Sequence, residues 1–363
     1  MPFWCVGNPL SDPFGGKVLP GVDALEVARI LAWAGQEGYI EATGFHDDDL
    51  APWDPSHPED DLDPAGECHA RLREIKSILA DGGLKVNSAV CSLHGHLLFR
   101  NGGLCNPDAD IRRLAGLKVE RALRMGQVLG ARHYIYWVAR DGFEVPVTTP
   151  WTKVYDWLAA GLNHVRDYIR DRGMTNYLGA TVEPKPNEPR GHMFLPTSGH
   201  ALGFILGRLR EPDFWGVNPE LLQHESMALM NAVLTVSYLC SMNKLKFLHF
   251  GSQIKAQFDN DFPPLVGPEG LKETAFMFWA LKQFGWQGVC EFDCHLLRAE
   301  ATPERPLECR RQFIVDCVTA LAMALELADR IEAPAPGLNQ TAADLASIRQ
   351  LCRLPEPVIA RKA

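Results

Sequence analysis

Short apolar runs rich in β-branched and aromatic residues alternate along the chain with longer amphipathic segments, and no other feature restricts the fold as much. Strands are read near 3–7, 40–45, 84–91, 133–138, 177–183, 214–219, 245–250 and 288–292. Helical patterns fall between and after them, at 23–37, 70–80, 110–129, 155–172, 198–209, 225–240, 270–284 and 307–330. Strict alternation predicts parallel strands joined by helical crossovers. Eight such units match a closed (β/α)8 TIM barrel better than an open doubly wound sheet, and no GxGxxG follows the first run to favour the dinucleotide-binding alternative. The fold class expected is therefore α/β, a TIM barrel over 1–332, with a short C-terminal helical tail over 333–363 that would pack on a neighbouring subunit.

Of the 363 residues, 46% are apolar and 22% charged, too apolar for a disordered chain. No stretch reaches the ~18 uninterrupted apolar residues of a membrane helix. The start lacks a basic segment followed by an apolar one, so no secretory signal is read. Ten cysteines without a CxxC pair read as reduced thiols of a cytoplasmic protein. Thirty-six Lys+Arg against 45 Asp+Glu give a formal charge of −9, which disfavours nucleic acid and anionic membranes as partners.

Active sites of such barrels lie at the C-terminal ends of the strands. Polar residues expected there are His46, Asp47, Asp48 and Asp49, then His94 and His96, Trp137, Glu183, Lys185 and Glu188, Glu220 and His224, Asp259 and Asp261, and finally Asp293 and His295. The carboxylates carry the argument. Two like charges ~4 Å apart repel by about 4 kcal/mol at an effective dielectric near 20. Five of them, Glu183, Glu220, Asp259, Asp261 and Asp293, would together repel by on the order of 10 kcal/mol or more. Protonation or divalent cations would relieve this. Oxygen ligands with one imidazole suit Mg2+, Mn2+ or Co2+, and a shared carboxylate would allow two cations side by side.

The run GATVEPKPNEPRGHMFLPTSGHALGFI resembles the xylose (glucose) isomerase family. Further landmarks follow in family order: WxVG and DPFG, FHDDDL, FRNGG, YxxW, NPE with a nearby HE, FDND and EFD. The resemblance implies a metal-dependent aldose–ketose isomerase that shifts a hydride between C1 and C2 of an open-chain sugar, D-xylose, D-glucose or a related one. It implies two divalent cations per subunit and a homo-oligomer, dimer or tetramer. His46 matches the histidine that assists ring opening, held by Asp49. Glu183, Glu220 and Asp293 match ligands of the first metal, with Glu220 bridging; His224, Asp259 and Asp261 match the second. Lys185 matches the lysine that holds the sugar's O1. Trp4 and Trp137 match apolar walls, and Phe14 an aromatic inserted into a neighbouring subunit's site.

The chain departs from that pattern where substrate and metal would be held. Gly251 stands where the family has a first-metal aspartate, with water or Gln253 expected to fill the vacancy. Glu220 and His224 are one residue further apart than the family's ExxH. A substrate-pocket phenylalanine is replaced by His94, and His192 and His295 stand at two other altered positions. Two alternatives stay open: a metal-dependent hydrolase or phosphodiesterase on the same barrel type, and a degenerate barrel that binds sugar with weak or no turnover.

Overall fold

The computed structural model describes residues 1–10, 17–58, 63–254, 261–264 and 270–331. The chain opens with helix α1 (Phe3–Gly7) and α2 (Ala24–Gln36), the latter capped by Asp23, whose carboxylate accepts from the Leu25 and Glu26 amides. There follow β1 (Ala42–His46), α3 (Asp47–Leu50), α4 (Glu67–Asp81), β2 (Lys85–Val90), α5 (Ala109–Leu129), β3 (His133–Trp137) and β4 (Gly142–Phe143). Next come α6 (Trp151–Asp171), β5 (Gly179–Glu183), β6 (His192–Met193), α7 (Ser198–Arg208), β7 (Trp215–Val217), α8 (His224–Met227) and α9 (Ala232–Ser241). The last elements are β8 (Phe247–Phe250), α10 (Gly270–Gln283), β9 (Val289–Phe292) and α11 (Pro306–Arg330).

The long strands form a parallel sheet in the order β1-β2-β3-β5-β7. Isolated parallel bridges, Val217 to Leu245 and Glu220 to His249, continue it into the parallel pair β8-β9. Helices pack outside, and the fold is an α/β TIM barrel of the kind expected. The tail at 333–363 lies outside the described residues. Among those described, no helix is long and apolar enough to cross a membrane.

Residues 3–7, expected as the first strand, are helical instead. This helix sits beside β1 and β9: the Met1 ammonium donates to Ala42 O (3.1 Å), and Cys5 Sγ lies 3.4 Å from Phe292 O. A five-residue apolar run carries no periodicity that tells helix from strand, and here Phe3, Cys5 and Val6 are all buried. The single helix expected at 225–240 is two helices. Leu229 takes φ 57°, which ends α8, and Asn231 starts α9 by accepting from the Leu234 amide.

Successive side chains of a strand point to opposite faces, so each strand presents alternate residues to the barrel interior. Val90, Ile135 and Phe247 meet there as a small apolar cluster under Trp4 and Trp137. Two strand positions further on, the inward residues are Ser92, Trp137 and His249, at the C-terminal mouth. The ribbon β4–β6 pairs Gly142 with Met193 and Phe143 with His192, linking the loops after β3 and β5. Further bonds from the Lys185 amide to Leu195 O (3.3 Å) and from Met193 to Pro186 O (3.1 Å) fix the segment that carries Lys185.

Candidate metal and sugar site

A cavity of about 260 Å³ opens at the C-terminal ends of the strands. Glu183 is the last residue of β5, with Glu220 after β7, His249 inside β8 and Asp293 directly after β9. His46 ends β1, and α3 begins immediately, so Asp49 folds back: its Oδ2 accepts from the His46 amide (2.7 Å) and lies 3.5 Å from His46 Nδ1. The same short helix buries Asp47, which accepts from the Ser92 amide (2.7 Å), Lys118 and Arg121 (2.7 Å). Asp47 thus bolts the end of β1 to α5 and faces away from the cavity.

Two groups of ligand atoms converge. Glu183, His249 and Asp293 form one; Glu183, Glu220 and His224 form the other, and within each the atoms lie within 4.8 Å of one another. His249 Nδ1 is 2.9 Å from Glu183 Oε2 and 3.2 Å from Asp293 Oδ2. His224 Nδ1 is 2.7 Å from Glu220 Oε2 and 4.0 Å from Glu183 Oε1. Asn218 Nδ2 donates to Glu183 Oε2 (2.8 Å) and Trp4 Nε1 to Asp293 Oδ1 (2.6 Å), orienting both carboxylates. Glu183, Glu220, His224 and His249 are all buried.

The electrostatics follow from this crowding. Burial pushes Glu220 well above the usual carboxylate range, and the charge of Asp293 adds to it against the pull of His224. Burial would also raise Asp293, but the adjacent His249 and the hydrogen bond from Trp4 hold it at about 2. Burial opposes protonation of His249, yet Glu183 and Asp293 raise its pKa well above the ordinary value. His46 behaves alike: burial lowers it, and the Asp49 bond and charge outweigh that, so its pKa is raised. Among the described residues, no donor reaches either oxygen of the fully buried Glu220 in hydrogen-bonding geometry, and neither ring nitrogen of His249 has such a partner. Buried polar atoms left in this state are costly, and a divalent cation between them would satisfy them. The donor set fits such an ion.

The cavity wall carries Trp4, Trp137 and His94. His94 stands 5.4 Å from the His46 ring and 4.9 Å from Trp137, centroid to centroid. The buried Lys185 Nζ sits 5.7 Å from the Trp137 ring centroid. Asp261 borders the cavity, accepting from Gln223 Nε2 (3.1 Å), with His295 Nε2 3.4 Å from its other oxygen. Phe14 and Asp259 lie outside the described residues. Other residues expected at the mouth have different tasks. His96 accepts from the Leu98 amide and packs on Trp53, Asp48 pairs with Lys118 (2.9 Å), and His192 stacks on Phe143 in the ribbon. Gln253 lines a separate cavity with Leu221, Leu222 and Ser226.

Sequence reasoning missed His249, Asn218 and Gln223. The first was visible as a lone histidine in an otherwise apolar strand, two positions from Gly251; Asn218 opens the NPE landmark, and Gln223 gave no signal.

Fold and site together define a TIM barrel with a carboxylate–histidine centre at its mouth. No family model matches the chain. It is 36% identical to xylose isomerase of Thermus thermophilus over 297 residues, which is 82% of this chain and 72% of that one. Xylose isomerase of Thermus caldophilus is 35% identical over the same length and the same shares of the two chains. The chain belongs to the xylose isomerase family. Solved structures with the same fold include D-psicose 3-epimerase from Clostridium cellulolyticum, TM-score 0.57 and 13% identical, covering 85% of this chain and 93% of that one. They also include 3-keto-D-glucoside 4-epimerase from E. coli, TM-score 0.56 and 14% identical, covering 84% and 97%.

Proposed function

We propose that this protein is a divalent-cation-dependent aldose–ketose isomerase acting on D-xylose, D-glucose or a related sugar. The observation that carries the reading is the meeting of Glu183, Lys185, His224, Asp293 and the His46–Asp49 pair around one small cavity. Family membership supports it. Divalent cations held by Glu183, Glu220, His224, Asp293 and the Asp259–Asp261 segment would supply Lewis-acid polarisation of the sugar oxygens.

The chain's own residues divide the remaining work. His46 handles the proton at the ring oxygen during opening, with Asp49 fixing the imidazole's orientation. Lys185 donates to O1 and stabilises negative charge developing there. Trp4 and Trp137 keep water from the C1–C2 bond. In the reaction the C2–H bond breaks and a C1–H bond forms as the hydride moves, while the O2 proton is transferred to O1, so aldose and ketose balance without a co-reactant. As part of the same reading, Phe14 completes the site of a neighbouring subunit in a cytoplasmic homo-oligomer, which light scattering would test.

The deciding experiment incubates aldoses labelled with deuterium at C2 with the protein and Mg2+, Mn2+ or Co2+, and analyses products by NMR. Retention of the label at C1 of a ketose is expected, with turnover abolished by EDTA. Lys185→Ala should lose turnover and keep its metal content, because a charged lysine cannot be a ligand. Loss of label to water, or no ketose from any aldose, overturns the reading.

A further inference from the structure

Gly251 raises the question of what completes the first metal position. An ideal Cβ on Gly251 would lie 2.7 Å from both polar side-chain atoms of Gln223 and 2.7 Å from Phe262 O. Gln223 is held there: its Nε2 donates to Asp293 O (2.5 Å) and to Asp261 Oδ1 (3.1 Å). The space a carboxylate at 251 would need is therefore taken.

His249 is two residues earlier on the same strand face, further inside the barrel. It is 1% exposed, and its Nδ1 is aimed between Glu183 and Asp293. A carboxylate stands behind the ring. Nε2 faces Glu291 Oε2 at 3.7 Å, and that oxygen accepts from Ser88 Oγ (2.7 Å). Gly44 of β1 makes room for this pair, since a Cβ there would fall 2.0 Å from Ser88 Oγ and 2.6 Å from Glu291 Oε2. With a cation held between Glu183 and Asp293, the ring proton belongs on Nε2, the side that faces the Glu291 charge, and Nδ1 turns its lone pair to the cation. Trp4 and Phe247 flank the ring edge-on, 5.7 and 5.5 Å away.

We infer that His249 is a ligand of the first metal position, with Glu183 and Asp293, in place of the carboxylate missing at 251. This rests on the metal-dependent reading above. A neutral nitrogen replaces a hard anionic oxygen, so the site holds less negative charge and favours Mn2+ or Co2+ over Mg2+.

The test titrates the full chain with MnCl2 and, separately, MgCl2 by calorimetry, and examines the Mn2+-loaded protein by pulsed EPR for coordinated imidazole nitrogen. The wild type is expected to bind Mn2+ on the order of tenfold or more tighter than Mg2+. His249→Ala should weaken Mn2+ by a similar factor, and His249→Asp should narrow the Mn2+/Mg2+ ratio. Because His249→Ala could fail to fold, His224→Ala supplies an independent readout: an imidazole coupling must persist in it. No coupling in His224→Ala, unchanged Mn2+ affinity in a folded His249→Ala, or no metal binding by the wild type overturns the inference. Coordination by His249 without sugar turnover supports it and overturns the isomerase reading. Turnover with Mn2+ binding indifferent to His249 overturns the inference alone.

Discussion

Replacing His94 by phenylalanine should remove a measurable part of the protein's sensitivity to mild acid. His94 lies on the cavity wall against His46 and Trp137. Burial, followed by the positive charge of His46 and Lys118, lowers its pKa to about 3. An unfolded histidine titrates near ~6.5. The folded state therefore holds His94 neutral while the unfolded state takes up a proton as the pH falls. Stability is lost below about pH 6.5, and the loss continues until the folded group itself titrates. Between about pH 7.5 and 5.5 the contribution amounts to RT ln of a ~10-fold proton-binding ratio, about 1.4 kcal/mol. His94→Phe cannot take up that proton in either state. Urea unfolding of both proteins across this range should show the stability difference moving by about 1.4 kcal/mol in favour of phenylalanine at the acid end. A difference that stays constant within ~0.3 kcal/mol would mean that His94 protonates freely in the folded protein and that its burial does not govern it.

Other perturbations test the frame around the site. Asp47→Asn leaves Lys118 and Arg121, both fully buried, with the more exposed Asp48 as their remaining anion, and should cost about 2–4 kcal/mol in urea unfolding. A loss under ~1 kcal/mol would show that those cations find water instead. Gly251→Asp, which a sequence alignment alone would suggest as a repair, should instead lower stability by ~1–3 kcal/mol through collision with Gln223 and the Phe262 carbonyl, without tightening Mn2+. Adding Gln223→Ala should restore only part of that stability, because the Phe262 carbonyl still meets a Cβ at 251; no recovery at all would show that Gln223 carries none of the clash. Mn2+ at about 100 times its dissociation constant should stabilise the wild type by roughly 2.7 kcal/mol, and excess EDTA should reverse the shift in Tm. An unchanged Tm would exclude a cation bound to the folded state.

The sequence alone determined the periodic plan and the chemical type of the mouth. Alternation of apolar runs and amphipathic segments is a local property, and it prescribes a barrel whose strand ends share one face. The acidic residues at those ends, together with the EPKPNEPRG run, named the family before any contact was known. Tertiary structure decided what local pattern leaves undetermined. Residues 3–7 could be helix or strand by periodicity, and in the tertiary structure they are a helix that contacts β1 and β9. The break at Leu229 depends on one backbone conformation that the helical pattern of 225–240 does not encode. Gly251 reads as a lost ligand in sequence. Only packing brings Gln223 into its space from another loop and sets His249 between Glu183 and Asp293, with Glu291 behind it from the neighbouring strand. Those contacts join residues far apart in the chain, where charge, volume and lone-pair direction act through space and leave no mark in local pattern.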